Sequence, residues 1–236
     1  MNMKKSLSLL VVAGLFIFLN ACVKNVENTP PSKKTYVGMM HMAPWSPSVE
    51  VYFNDSKVSQ AVAPGVSSQL YEPFEPKSYQ VKFKKGGSDS LVASLPAETY
   101  DSLKYYTLLL YNESQTSVKA FRIVDDYSML TLNQAFIRFF HFSPNIGPVD
   151  FFVEAAKMSA DRVYTDNLGN PSYNSFTAQQ PGAYNITVKR TGTGETIAQA
   201  INIVFQQANA YTIYLSGLEG VIGNGGPSVK VIRAAQ

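Results

Sequence analysis

The chain has two histidines, His41 and His141, set 100 residues apart in nearly the same phrase, HMAP and HFSP. An imidazole binds metals and moves protons near neutral pH, so a split site is the first chemistry to weigh. Zinc requires three or four converging ligands. Each phrase brings one histidine and no cysteine, and equivalent residues of separate repeats are poorly placed to converge. Carboxylates recur at the same interval, Glu50 answering Asp150. A glycosidase pair needs two carboxyls about 5–10 Å apart in one cleft, which repeat partners do not supply. Pairing with arginine or capping of loop amides is the structural alternative. Asp125-Asp126 and the acidic residues at 161–166 are oxygen donors of the calcium type. They lack the calcium-loop spacing and read as solvated turn residues. No G-x-S-x-G elbow occurs. Gly192-Thr193-Gly194 lies between strand patterns and reads as a turn rather than a phosphate loop; GNGG at Gly223 reads as a loose loop. The Asn-x-Ser/Thr triplets at Asn112 and Asn185 have meaning only where N-glycosylation occurs. No catalytic residue, metal or cofactor is expected.

The one cysteine, Cys22, has no partner for a disulfide. It closes the stretch MNMKKSLSLLVVAGLFIFLNAC, which has a basic start and an apolar run shorter than the roughly 20 residues of a membrane span. That is the form of a secretory signal. Leu19-Asn20-Ala21-Cys22 resembles a bacterial lipobox, with Asn20 in place of the usual small residue. The expectation is a signal peptide over 1–21, then a lipid-bearing Cys22 and a polar, proline-containing tether over 22–34. The site would be a cell envelope, most simply the outer membrane, on a side left open. The 20 Lys and Arg against 17 Asp and Glu fall close to balance once Lys4 and Lys5 leave with the signal. A nucleic-acid partner would need a basic stripe and is not expected.

The histidine phrases belong to a longer repetition. HMAPWSPSVEVYF at His41 answers HFSPNIGPVDFFV at His141. EPKSYQVKF answers QPGAYNITV and YTLLL answers YTIYL, both 105 residues on; SVKAFR answers SVKVIR after 111. The first change of offset is read between Phe53 and Lys57, opposite 153–162, and the last after the YT strands. Within each copy apolar residues alternate with polar ones, as in Tyr79, Val81 and Phe83 or Tyr184, Ile186 and Val188, which is the period of a strand with one buried face. Gly86-Gly87 and Gly192 with Gly194 mark hairpin turns. The pattern predicts an all-β chain of two tandem Greek-key β-sandwiches, immunoglobulin-like, over 35–127 and 134–236, with a joint near 127–134 short enough for the domains to touch.

The order H-x-[AS]-P, V-[DE]-V, P-G-x-Y, Y-T resembles the bacterial domain-of-unknown-function family 4397, once in each copy. Phe136 to Phe151 and Pro181-Gly182-Ala183-Tyr184 fit it best, while copy one has Lys77 in place of the glycine. The resemblance implies an exported β-sandwich, often lipid-anchored and frequent in Bacteroidetes. It implies no activity and assigns no catalytic residue.

His41, Pro44, His141 and Pro144 are therefore expected to be strand corners, with each imidazole hydrogen-bonded to the loop after it. The copies differ at Trp45, which becomes Asn145. Trp45 either covers its own core or stands as an aromatic contact with Tyr71 and Phe74 gathered at the same end. The polar stretch 158–179 is a second candidate surface. The function expected is a lipid-anchored, non-catalytic binding, adhesion or scaffold module with an envelope-protein partner. A carbohydrate-binding component of a glycan-uptake system is the alternative, and an envelope hydrolase ranks below both.

Overall fold

The computed structural model describes residues 33–234. The expected signal peptide, Cys22 and all of the expected tether but Lys33 and Lys34 lie outside the described residues. Lys33–Gln236 forms one compact unit.

Among the described residues sixteen strands run in chain order: β1 Thr35–Met42, β2 Val49–Phe53, β3 Ser56–Lys57, β4 Glu72–Phe74, β5 Ser78–Lys85, β6 Leu91–Thr99, β7 Tyr105–Ser114 and β8 Ser117–Asp125. Then follow β9 Ala135–Phe142, β10 Val149–Val153, β11 Ala156–Arg162, β12 Thr177–Gln179, β13 Gly182–Arg190, β14 Thr196–Phe205, β15 Ala210–Ser216 and β16 Ser228–Ala234. A four-residue helix, α1 (Asp166–Gly169), and a 3-10 turn (Pro171–Asn174) precede β12. The first eight strands build sheets β4-β1-β7-β8 and β3-β2-β5-β6. The last eight build β12-β9-β15-β16 and β11-β10-β13-β14. The second pair repeats the first strand for strand, including the parallel pairing of β1 with β7 and of β9 with β15. Each half is a β-sandwich, and the two share one strand order.

The cores follow from alternation. In the first half Val37, Met39, Phe53, Val81, Phe83, Leu108 and Leu110 fill the space between its sheets. Ile137, Phe139, Phe151, Ile186, Val188, Ile213 and Leu215 do so in the second. A third apolar cluster joins the halves: Met40, Met42, Leu109 and Ile123 meet Phe140, Phe142 and Tyr214. The sheets containing β1 and β9 therefore pack back to back, and all eight residues of β9 are buried. A strand covered on both faces reads as a continuous apolar run, which explains MMHM and RFFHF.

One sequence expectation changes here. The hairpins β2–β3 and β10–β11 are equivalent, Lys57 standing opposite Tyr52 as Lys157 stands opposite Phe152. The first change of offset thus falls after these lysines, where the second half inserts α1 and the 3-10 turn. At Lys34, the last residue read as tether, the carbonyl accepts from the Leu103 amide at 2.7 Å.

Candidate functional site

Both histidines are fully buried at the ends of β1 and β9. His41 Nε2 lies 3.1 Å from the Pro47 carbonyl, and Nδ1 faces the Ala43 amide at 3.5 Å. His141 repeats this with Gly147 O at 3.2 Å and the Ser143 amide at 3.3 Å. A neutral imidazole with Nε2–H donating and Nδ1 accepting satisfies both contacts. Burial lowers the pKa of His41 and brings that of His141 to about 4. Each ring is thus a neutral pin that closes the loop after its strand, with Pro44 and Pro144 following.

Glu50 and Asp150 are also matched. Lys57 reaches Glu50 at 2.7 Å and Lys157 reaches Asp150 at 2.6 Å. Glu50 further accepts from Tyr52 and the Gly87 amide; Asp150 accepts from Thr191 and the Asp161 amide. The lysine contact is the main cause that lowers both carboxyl pKa values.

Three aromatic candidates part company. Phe74 pairs with Thr35 at the start of β1 and packs on Phe53 and Tyr79. Trp45 follows the other end of β1, its amide donating to Asn112 Oδ1 at 3.1 Å. Eight residues at about 3.3 Å each separate the two ends by roughly 23 Å. Tyr71 is no loop contact either. Its hydroxyl donates to Asp125 Oδ2 at 3.0 Å and lies 2.6 Å from Tyr127 Oη, and burial, then the Asp125 charge, raises its pKa. The ring fits because position 38 is glycine: a Cβ there would stand 3.2 Å from it.

Asp125 is no solvated turn residue. It meets Arg138 of the second half at 2.7 Å, with side chains 0% and 2% exposed. The contact is ionic, off the line of a hydrogen bond to Oδ1. Thr107 donates to the other oxygen at 2.7 Å. Arg138 also donates to Thr212 and to the Asn174 carbonyl and lies over the rings of Phe140 and Phe176. In the 158–179 segment Asp166 is likewise engaged, bound by Arg162 at 2.6 and 2.8 Å. Part of that segment faces inward: Leu168 packs on the seam, and Tyr164 Oη donates to the Asn112 carbonyl and accepts from its amide. Asn112 is itself buried. The first half reciprocates, with Ser67 bonded to Tyr214 and the Gly65 carbonyl to Lys230.

The seam opens at the Trp45 end into a cleft of about 580 Å³. Met42, Pro44 and Pro64 form one wall, Phe142 and the loop at 217–227 the other. That loop is closely folded rather than loose. The Leu218 amide donates to Gly225 O at 2.7 Å, and a Cβ at Gly217 would stand 2.0 Å from Gly226 O. Asn145 fixes it from both sides, donating to the Glu219 carbonyl at 3.1 Å and accepting from its amide at 2.9 Å. Arg190 binds the Glu219 carboxylate. Where the first half carries Trp45 beside a short turn, the second carries Asn145 beside an inserted loop. At the loop tip Ile222 is 99% exposed. Among the described residues no three His, Cys, Asp or Glu side chains gather as metal ligands would.

Comparison with protein families matches residues 35–152 to the model described as "Domain of unknown function (DUF4397)". The match spans the first half and the first two strands of the second. No curated protein matches the chain. Among solved structures, a carbohydrate-binding module of family CBM26 from Eubacterium rectale Amy13K, crystallised with maltoheptaose, aligns at 10% identity. The alignment covers 86% of this chain and 98% of that one, with a TM-score of 0.22.

Proposed function

The chain belongs to the DUF4397 family, and on that premise we propose that it is a non-catalytic binding module of a bacterial envelope, anchored through lipid on Cys22, with 134–236 as a second family domain. The observation that carries the reading is the seam cleft. Its walls are apolar side chains, glycine backbone and a few polar groups, Ser216, Asn224, Ser228 and Lys230, the lysine already bonded to Gly65. Such a lining suits recognition by contact. The groups with chemistry to offer are held elsewhere: both imidazoles on loop backbone, Glu50 and Asp150 on lysines. The partner is an envelope protein that seats on the cleft and on Ile222.

A glycan is the alternative occupant, favoured by Trp45, which is half-buried beside cleft residue Pro44. One experiment separates the two. The chain from Val23 onward, with and without Trp45→Ala, is probed against a glycan array and against cross-linked envelope extract. Glycan signals abolished by Trp45→Ala establish the alternative. Capture of one discrete protein with a blank array supports the main reading. Hydrolysis of an array glycan that disappears with His141→Ala would overturn the non-catalytic assignment.

A further inference from the structure

Among the described residues the four sheets have eight edge strands, and seven carry a device that discourages pairing with another chain. Short edges, proline and charged side chains are the usual ones. β3 has two residues and includes Lys57; β4 has three and contains Pro73; β12 has three. β6 contains Pro96 and Glu98; β8, β11 and β16 carry Lys119 and Arg122, Lys157 and Arg162, Lys230 and Arg233. β14 has none: TIAQAINIVF is ten residues without charge or proline, with Ile201 67% exposed.

The backbone of β14 is oriented for pairing. The Asn185 carbonyl accepts from Glu154 beyond β10, so Asn185 and Thr187 point their amides and carbonyls toward β10. Ile186 and Val188 point theirs toward β14, where they meet Ala200 and Ala198. In an antiparallel ladder the groups alternate sides, so Gln199, between the pairs at Ala198 and Ala200, directs its N–H and C=O groups to the open edge. Register shifts on both sides, at Ile197 and near Asn202, limit the regular ladder with β13 to Ala198–Ala200, the centre of a palindrome, Ile197-Ala198-Gln199-Ala200-Ile201.

We propose that β14 pairs with β14 of a second copy of this chain, antiparallel about a two-fold axis through Gln199. An isologous contact sets every residue against its symmetry mate. Here Ile197 faces Ile201, Ala198 faces Ala200 and Gln199 faces itself, so each side chain meets its own kind and no like charges oppose. Gln199 is suited to self-pairing because its amide both donates and accepts. The two outer sheets then continue as one of eight strands. The equivalent run of the first half, Val92-Ala93-Ser94-Leu95-Pro96, lacks this symmetry and ends in a residue without an amide hydrogen. The inference stands apart from the proposed function, since β14 lies on the outer sheet and the cleft at the seam.

The test is the mass of the chain from Val23 onward, measured by sedimentation over a hundredfold concentration range, beside Ile201→Pro and Ile201→Lys. Proline occupies the equivalent position 96 of the first half, so Ile201→Pro copies a substitution that this fold already contains. The expected result is a concentration-dependent dimer that both variants return to monomer with unchanged circular dichroism, and slower amide exchange of 197–201 in the dimer. A wild-type chain that stays monomeric throughout, or a dimer that persists in both folded variants, would overturn the proposal.

Discussion

Arg138 and Asp125 lie in different halves of the chain, and their charged groups meet at 2.7 Å with almost no access to solvent. The pair sits between two sandwiches whose adjoining sheets share an apolar cluster. Breaking a buried pair strands the remaining charge, typically at 3–5 kcal/mol. Arg138→Ala should therefore lower unfolding free energy by about that amount. Urea titrations read by Trp45 fluorescence and by far-UV circular dichroism should move together, since the halves share this seam. Replacing both partners, Arg138→Met with Asp125→Leu, should cost less than either single change.

The histidines make stability depend on pH in a fixed direction. Burial depresses the pKa of His41 and sets that of His141 near 4, below the unfolded value of 6.5. The unfolded chain binds the proton first, so stability rises with pH across this window. The contribution is complete above about pH 6.5 and is lost as pH falls toward 4, with His141 accounting for roughly 3 kcal/mol. Denaturation midpoints at pH 7.0, 5.5 and 4.5 should fall in that order. His141→Gln should flatten the trend; an unchanged slope would contradict the assignment.

Asn145→Ala removes both hydrogen bonds to Glu219. At about 0.5–1.5 kcal/mol for each bond, the global loss is modest. The sharper expectation is local: amide exchange of 218–226 should accelerate, with the cores unchanged. Asn145→Asp, which retains the acceptor, should give an intermediate rate.

Much of this fold is legible in the sequence, and the unread parts share a cause. Tyr79, Val81 and Phe83 show their strand and its buried face, because the other face meets water. β1 and β9 hide their second buried face, since Met40 and Phe140 look like any apolar neighbours until a second sheet is placed against them. Asp125 reads as a turn carboxylate because its partner Arg138 arrives from another sandwich. Trp45, Tyr71 and Phe74 read as one group because sequence spacing does not reveal that β4 returns to the start of β1. The exchange of Trp45 for Asn145 is visible in the alignment of the copies. Its reason, the inserted loop that Asn145 fastens, depends on a contact across 74 residues.

Tyr164 and Asn112 offer a second probe of the seam. Tyr164→Phe deletes a hydroxyl that both donates to and accepts from the Asn112 backbone, leaving buried groups unmatched at about 1–3 kcal/mol. Thermal unfolding should shift downward as one transition. Two separated transitions would mean that the halves melt independently.

The seam cleft is the surface proposed to meet a partner. A photo-reactive residue at Ile222, 99% exposed on the cleft loop, tests it in intact cells against the same residue at Leu132, 78% exposed in the segment joining the halves. The account predicts one discrete cross-linked adduct from position 222 and none from position 132. No adduct at 222, or the same adducts from both, would contradict it.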